Sequence, residues 1–224
     1  MRYWRAIAGY VGLAVLALLV LPFSFLAARR GLLALSGNYG AQDRLYTGDG
    51  GLSDLAIFGH MALGAVVALL AVVQLVGPLR RHWPVLHRVS GRTLALLAIP
   101  TALGGLIYIG LNGTIGGPVM NVGFALYGVL LLLTAIQAPR FAMAGDYGRH
   151  RRWGLRLAIL ALGSWLYRVH YGLWFWLTQG WGVGSLLDGP FDRIQVFAFY
   201  LPYLVLLEIC FRIRNRPVRG FRAA

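Results

Sequence analysis

The sequence is poor in the groups that keep a protein in water. Only 12% of its 224 residues are charged, about half the share usual in a soluble domain. Seven are acidic, and lysine is absent, so all 21 basic side chains are arginine. Cys210 is the only cysteine, which excludes an intrachain disulfide and a thiolate zinc or iron–sulfur centre; it reads as a small apolar residue within a helix. No phosphate-binding glycine loop, Gly-x-Ser-x-Gly elbow or His-Glu-x-x-His helix is present. With no nucleophile–base pair or metal set visible in the pattern, an enzymatic reading has little to stand on.

Apolar residues make up 58% of the chain. They fall into runs near 20 residues, each long enough to cross a bilayer as a helix. The spacing predicts six spans at about 6–28, 55–79, 89–110, 119–138, 155–178 and 191–211, separated by Gly/Pro punctuation such as Gly77-Pro78, Gly116-Gly117-Pro118 and Gly189-Pro190. The gaps are too short for a second domain, so residues 1–224 are expected to form one all-α integral membrane domain. The first run, Ala6 to Ala28, is longer than a secretory signal's apolar region of about 7–15 residues and reads as a retained span. The longest polar segment, Arg29 to Asp54, reads as a loop that either covers a site or merely connects.

The net charge of +14 does not point to nucleic acid, because the arginines cluster in the short gaps between apolar runs. Placing the N-terminus in the cytoplasm puts 16 arginines on that side and 4 on the other (Arg29, Arg30, Arg44 and Arg193), with Arg168 inside a span. Five acids, Asp43, Asp49, Asp54, Asp188 and Asp192, fall on the opposite side. This asymmetry predicts both termini in the cytoplasm of a bacterium, with the protein in its inner membrane.

The chain partly repeats itself at a shift of 63 residues. His87-Arg88-x-x-Gly91 superposes on His150-Arg151-x-x-Gly154, Gln74 on Gln137, and Tyr108 on Tyr171. Apolar matches between membrane helices are cheap, whereas polar matches in one order at one spacing are not. The shift maps span two onto span four and span three onto span five, in equal orientation. It therefore predicts a four-helix core from spans two to five (about 55–178) with a parallel pseudo-two-fold axis, flanked by spans one and six (about 6–28 and 191–211).

Two groups of residues could carry chemistry. At the cytoplasmic mouth, His87 and His150 stand with Arg88, Arg92, Arg151 and Arg156 near helix starts. Helix N-termini and forked guanidinium donors both suit an anion, whether a haem propionate, a lipid head group or a phosphorylated ligand. The plainer reading is arginines that snorkel to the head groups. Nearer the other face lie His60, Arg168 and His170; ionisable groups inside a span are costly and mark functional hypotheses. Arg168 needs a partner such as a backbone carbonyl, Asp54 or a ligand carboxylate. Glu208 reads as a local ion pair with Arg212 at i+4. Pro100 and Pro202 predict kinks or packing breaks.

His60, Gln74, the Leu79-Arg80-Arg81-His-Trp-Pro84 turn, His87-Arg88-x-x-Gly91-Arg92 and His150-Arg151-x-Trp153-x-x-Arg156 together resemble the bacterial membrane proteins grouped as domain of unknown function 2306. The resemblance covers about residues 55–178 and extends to an arginine late in the fifth span. Gly154 departs from the methionine expected after His-Arg-x-Trp. The resemblance implies the fold and no activity. A looser likeness of layout links the chain to two-haem cytochrome b561-type cores.

Three functions stay open. A b-type haem or quinone-linked electron carrier would ligate haem b through His87 with His150 and His60 with His170, although His150 and His170 stand about 30 Å apart along one helix. A binding or transport protein for an anionic lipid or amphiphile would use Arg88, Arg92, Arg151, Arg156 and Arg168; six helices without evident broken spans make a small transporter. A non-catalytic subunit would serve another membrane protein. The expected partners are membrane lipid, a quinone or such a protein, and no nucleic acid.

Overall fold

The computed structural model describes residues 2–38, 45 and 51–214 of the chain. They form helices α1 (Arg2–Leu35), α2 (Leu52–Leu75), α3 (Gly77–His82), α4 (Pro84–Asn112), α5 (Gly117–Met143), α6 (Tyr147–Ala161), α7 (Gly163–Thr178), α8 (Pro190–Ala198) and α9 (Leu201–Arg214), with no strand among the described residues. Prolines open α3, α4, α5 and α8, where the missing N–H would have had no intrahelical partner. The Asp146 carboxylate caps α6 by accepting the Arg149 N–H at 2.9 Å, which satisfies one donor of the open first turn. Gly113 ends α4 with φ of +71°, a conformation that glycine adopts without strain.

Five stretches are long and apolar enough to cross a membrane: Gly9–Leu35, Leu52–Leu75, Pro84–Asn112, Gly117–Met143 and Pro190–Arg214. The α6–α7 pair, which carries Arg149, Arg151, Arg152, Arg156 and Arg168, is not among them. The segment Arg29 to Asp54 is less loop than expected. The run Gly31-Leu-Leu-Ala-Leu35 stays helical at the end of α1, and α2 already begins at Leu52. The centre of that segment, residues 39–44 and 46–50, lies outside the described residues.

Helices α2, α4, α5 and α6 form a closed ring in which α2 packs on α4, α4 on α5, α5 on α6 and α6 on α2. Small side chains let the helices approach closely, as membrane packing requires. Ala68, Ala71, Ala98, Ala135, Ala138 and Ala161 all belong to the buried core. A Cβ at Gly104 of α4 would lie 2.6 Å from the Ala56 carbonyl oxygen of α2, and one at Gly31 of α1 would lie 2.6 Å from that of Phe58. Helix α1 packs along α2, while α8 rests on α5 and α9 on α6. The ring matches the core that the repeat predicts in α2, α4 and α5, but of the fifth expected span only the first half, α6, belongs to it; α4 and α6 start at corresponding positions of the two halves.

The halves diverge away from the arginine-rich end. Helix α4 runs unbroken through Pro100, whereas its counterpart breaks at Leu162 into α6 and α7. Several positions differ between the halves at the break: Gly163 and Ser164 stand where the first half has Pro100 and Thr101, and Tyr127 where it has Gly64. Gly64 of α2 lies against Thr101 of α4, and the corresponding residue of α5 is Tyr127, whose ring fills the space beside Gly163. The Tyr127 hydroxyl donates to the Leu160 carbonyl at 2.5 Å. In the other half the corresponding carbonyl, that of Leu97, takes the Thr101 hydroxyl at 2.7 Å. Beyond the break, α8 and α9 fill the wedge between α5 and α7. Val196 sits where a Cβ on Gly123 would collide, the Tyr200 hydroxyl donates to the Gly123 carbonyl at 3.1 Å, and Phe199 packs on Tyr127, Phe124 and Tyr167.

The last span is broken as well, between Ala198 and Leu201. Pro202 accounts for it, because its ring crowds the carbonyl four residues earlier, that of Ala198. The break at Pro202 agrees with the sequence expectation, whereas the one at Leu162 was not expected. Pro100 produces no comparable break.

Candidate functional site

A lateral cavity of about 420 Å³ opens between α1, α2 and α7. Its wall includes Phe23 and Arg30 of α1, Met61 of α2, and Trp165, Arg168 and Val169 of α7. Trp165 ties the two outer walls together by donating its indole N–H to the Leu19 carbonyl at 3.2 Å. Arg168 answers part of its own charge locally. Its Nη1 donates to the Ser164 carbonyl at 2.9 Å and to the Ser164 hydroxyl at 2.8 Å, and its guanidinium lies over the Phe23 ring, 5.0 Å from the centroid. A backbone carbonyl is thus the partner, and among the described residues no carboxylate pairs with Arg168. Arg168 also lies within electrostatic reach of Arg30, His60, Tyr127 and Tyr167. The helical side chain leans toward the N-terminus of α7, which holds the charge level with the α6–α7 break.

His60 and His170 do not face one another. His60 turns to α4, where its Nδ1 lies 2.7 Å from the Thr101 carbonyl and its ring rests on Gly105. His170 turns to α8 and α9, and both its nitrogens are engaged, Nδ1 with the Gln195 Oε1 at 3.2 Å and Nε2 with the Tyr203 hydroxyl at 2.7 Å. The absence of a side chain at Gly104 and Gly105 leaves the room that His60 occupies against α4, and Gln195 of α8 and Tyr203 of α9 hold His170.

At the arginine-rich end, His87 and His150 lie within electrostatic reach of each other. The His150 Nδ1 is 2.9 Å from the Ala138 carbonyl. A nitrogen facing a carbonyl must carry the proton, so the neutral ring presents Nε2 as its lone pair. The two glutamines of the repeat behave differently. Gln74 donates to the His87 carbonyl at 3.1 Å and to the Ser90 hydroxyl at 2.7 Å, whereas the Gln137 Oε1 is buried without a partner, as is the His87 Nδ1. Arg92 and Arg151 are exposed, and Arg88 donates to the Pro84 carbonyl at 3.3 Å. Arg156 finds its anion inside the chain: its Nε lies 2.6 Å from the Glu208 Oε1, and its guanidinium lies over Trp153 and Phe211. Glu208 therefore bonds across helices rather than with Arg212, because α9 lies against α6 and brings the carboxylate there.

Sequence reasoning missed Asp192. Its carboxylate is fully buried and accepts the Tyr171 hydroxyl, the Gly184 N–H at 2.7 Å and the Gly189 N–H at 2.9 Å. With the Tyr167–Tyr171 hydroxyl contact and the His170–Gln195 bond, it pins α8 to α7. The available signal was the Gly189-Pro190-Phe-Asp192 order, a helix start with an acid in its first turn.

Among protein families, the one described as "Predicted membrane protein (DUF2306)" matches residues 57–185, more than half of the chain. The chain belongs to that family and is an all-α membrane protein. No curated protein and no solved structure matches it.

Proposed function

We propose that this DUF2306 protein binds an anionic amphiphile within the bilayer, with Arg168 holding the head group in the cavity between α1, α2 and α7. The observation that carries this reading is a guanidinium placed in the middle of the α6–α7 pair, on the wall of a side cavity, with only Ser164 and an aromatic face as partners. A cation in that setting favours an anion, and the apolar wall favours a hydrocarbon tail. The two broken spans support it, since discontinuous helices near the midplane are how membrane transporters build their sites. In this reading α6–α7 is the sixth span, residues 55–178 are the core of a single domain, and the protein lies in a bacterial inner membrane. The arginine-rich end and both termini face the cytoplasm. Arg88, Arg92 and Arg151 sit at the lipid head groups.

The test is extraction in mild detergent, followed by mass spectrometry of bound lipid on the wild type and on Arg168→Gln. The wild type should retain an anionic amphiphile that the variant loses. Equal retention by both would overturn the assignment of Arg168.

A second reading has one observation in its favour. His87 and His150 lie within electrostatic reach of each other, and the His150 Nδ1 is held by a carbonyl, the arrangement in which a histidine offers Nε2 to a metal. One b-type haem could be held there, with a quinone as its redox partner. A reduced-minus-oxidised absorption spectrum of protein expressed with added haem decides it: a b-type band lost in His150→Ala supports it, and a flat spectrum removes it.

A further inference from the structure

We infer that the amphiphile held at Arg168 is a single-chain carboxylic acid rather than a phospholipid. The inference rests on the reading of Arg168 as head-group anchor and adds the ligand's class.

Depth is the first argument. The Arg168 guanidinium is bonded at Ser164. At about 1.5 Å per residue, Ser164 lies about 21 Å from Thr178 and about 12 Å from Arg156, the innermost arginine of the arginine-rich end, along the α6–α7 pair. Hydrocarbon is about 30 Å thick, so the guanidinium sits well inside it. A phospholipid resting in either leaflet keeps its phosphate at the surface, and a permanently charged phosphodiester pays heavily for leaving water. A carboxylic acid enters hydrocarbon with its proton on. At Arg168 its O–H bond breaks, the electron pair stays on oxygen, and the proton returns to the aqueous phase. The neighbouring guanidinium stabilises the carboxylate so formed.

Shape is the second argument. With Nη1 committed to Ser164 and Phe23 covering one face, the guanidinium still has its Nε–Nη2 edge, a planar pair of donors that matches the two oxygens of a carboxylate. Of the remaining wall, Leu19, Pro22, Leu26 and Val169 are apolar, and Arg30 adds a second cation that also favours an anionic head group. At about 420 Å³ the cavity lies toward the small end of ligand pockets, with room for a head group and the adjoining stretch of an acyl chain.

The experiment measures equilibrium binding of radiolabelled palmitic acid, phosphatidylglycerol and hexadecanol to the purified full-length protein in mild detergent. Wild type, Arg168→Gln, Arg168→Lys and Val169→Trp are compared. Val169→Trp keeps the guanidinium but fills the cavity, and so serves if Arg168→Gln does not fold. Palmitate should bind saturably at one per chain, weaken at least tenfold in Arg168→Gln and in Val169→Trp, and weaken less in Arg168→Lys; hexadecanol should bind poorly throughout. Phosphatidylglycerol binding that depends on Arg168, without palmitate binding, would overturn the carboxylate class and leave the amphiphile site standing. Palmitate binding unchanged in Arg168→Gln and Val169→Trp, or binding of neither anionic probe, would overturn both.

Discussion

Replacing Asp192 separates two roles of one buried carboxylate, its charge and its hydrogen bonds. The side chain is fully buried and accepts from the Tyr171 hydroxyl and from the Gly184 and Gly189 N–H groups. Asp192→Ala removes all three acceptors at once. Two backbone donors and a tyrosine hydroxyl then lose their partner, and an unsatisfied buried group costs about 1–3 kcal/mol. The connection from α7 to α8 is partly open to solvent, so water can reach some of these donors, which puts the total at about 2–5 kcal/mol. Asp192→Asn keeps one carbonyl oxygen for the two glycine N–H groups and turns its NH₂ to Tyr171, whose hydroxyl can accept. It should cost no more than about 1–2 kcal/mol. The assay is thermal unfolding of the three proteins in one detergent, followed by tryptophan fluorescence. Trp174 stacks on Phe191 with ring centroids 4.4 Å apart at this junction, and so reports on it. A melting point for Asp192→Ala equal to wild type, or Asp192→Asn falling below Asp192→Ala, would refute the reasoning.

Two further changes test the fold around the site. Tyr127→Phe deletes the hydroxyl bound to the Leu160 carbonyl and should destabilise the protein by about 1–2 kcal/mol in a denaturant titration; no loss would mean that the α6–α7 break does not depend on that bond. A double-mutant cycle of Arg156→Ala and Glu208→Gln should give a coupling of about 1 kcal/mol or less, since the carboxylate is 42% exposed and screened. A coupling of zero would leave the packing of Arg156 on Trp153 as its contribution.

Hydropathy and charge are properties of short stretches, so the sequence alone determined the helical class, the five long apolar helices and the uneven distribution of arginine. The polar repeat went further, because paired hairpins at equal spacing imply which helices touch; the ring of α2, α4, α5 and α6 follows that logic. The candidate site was legible only as single residues. Arg168 stands out because a cation in an apolar run is conspicuous, but that it would bond to Ser164 and line a cavity with α1 depends on how α7 turns. At the start of α7 the Tyr127 ring lies against Gly163, a contact that the apolar pattern around Tyr127 does not foretell. His60 and His170 looked like a facing pair at similar depth, yet depth along a helix says nothing of direction around it, and neighbours from α4 on one side and α8–α9 on the other drew them apart. Glu208 met Arg156 rather than Arg212 for the same reason. What the tertiary structure alone decided, the break between α6 and α7, the buried Asp192 and the cavity at Arg168, all arise where side chains from helices distant in sequence compete for one space, and no local pattern records the outcome of that competition.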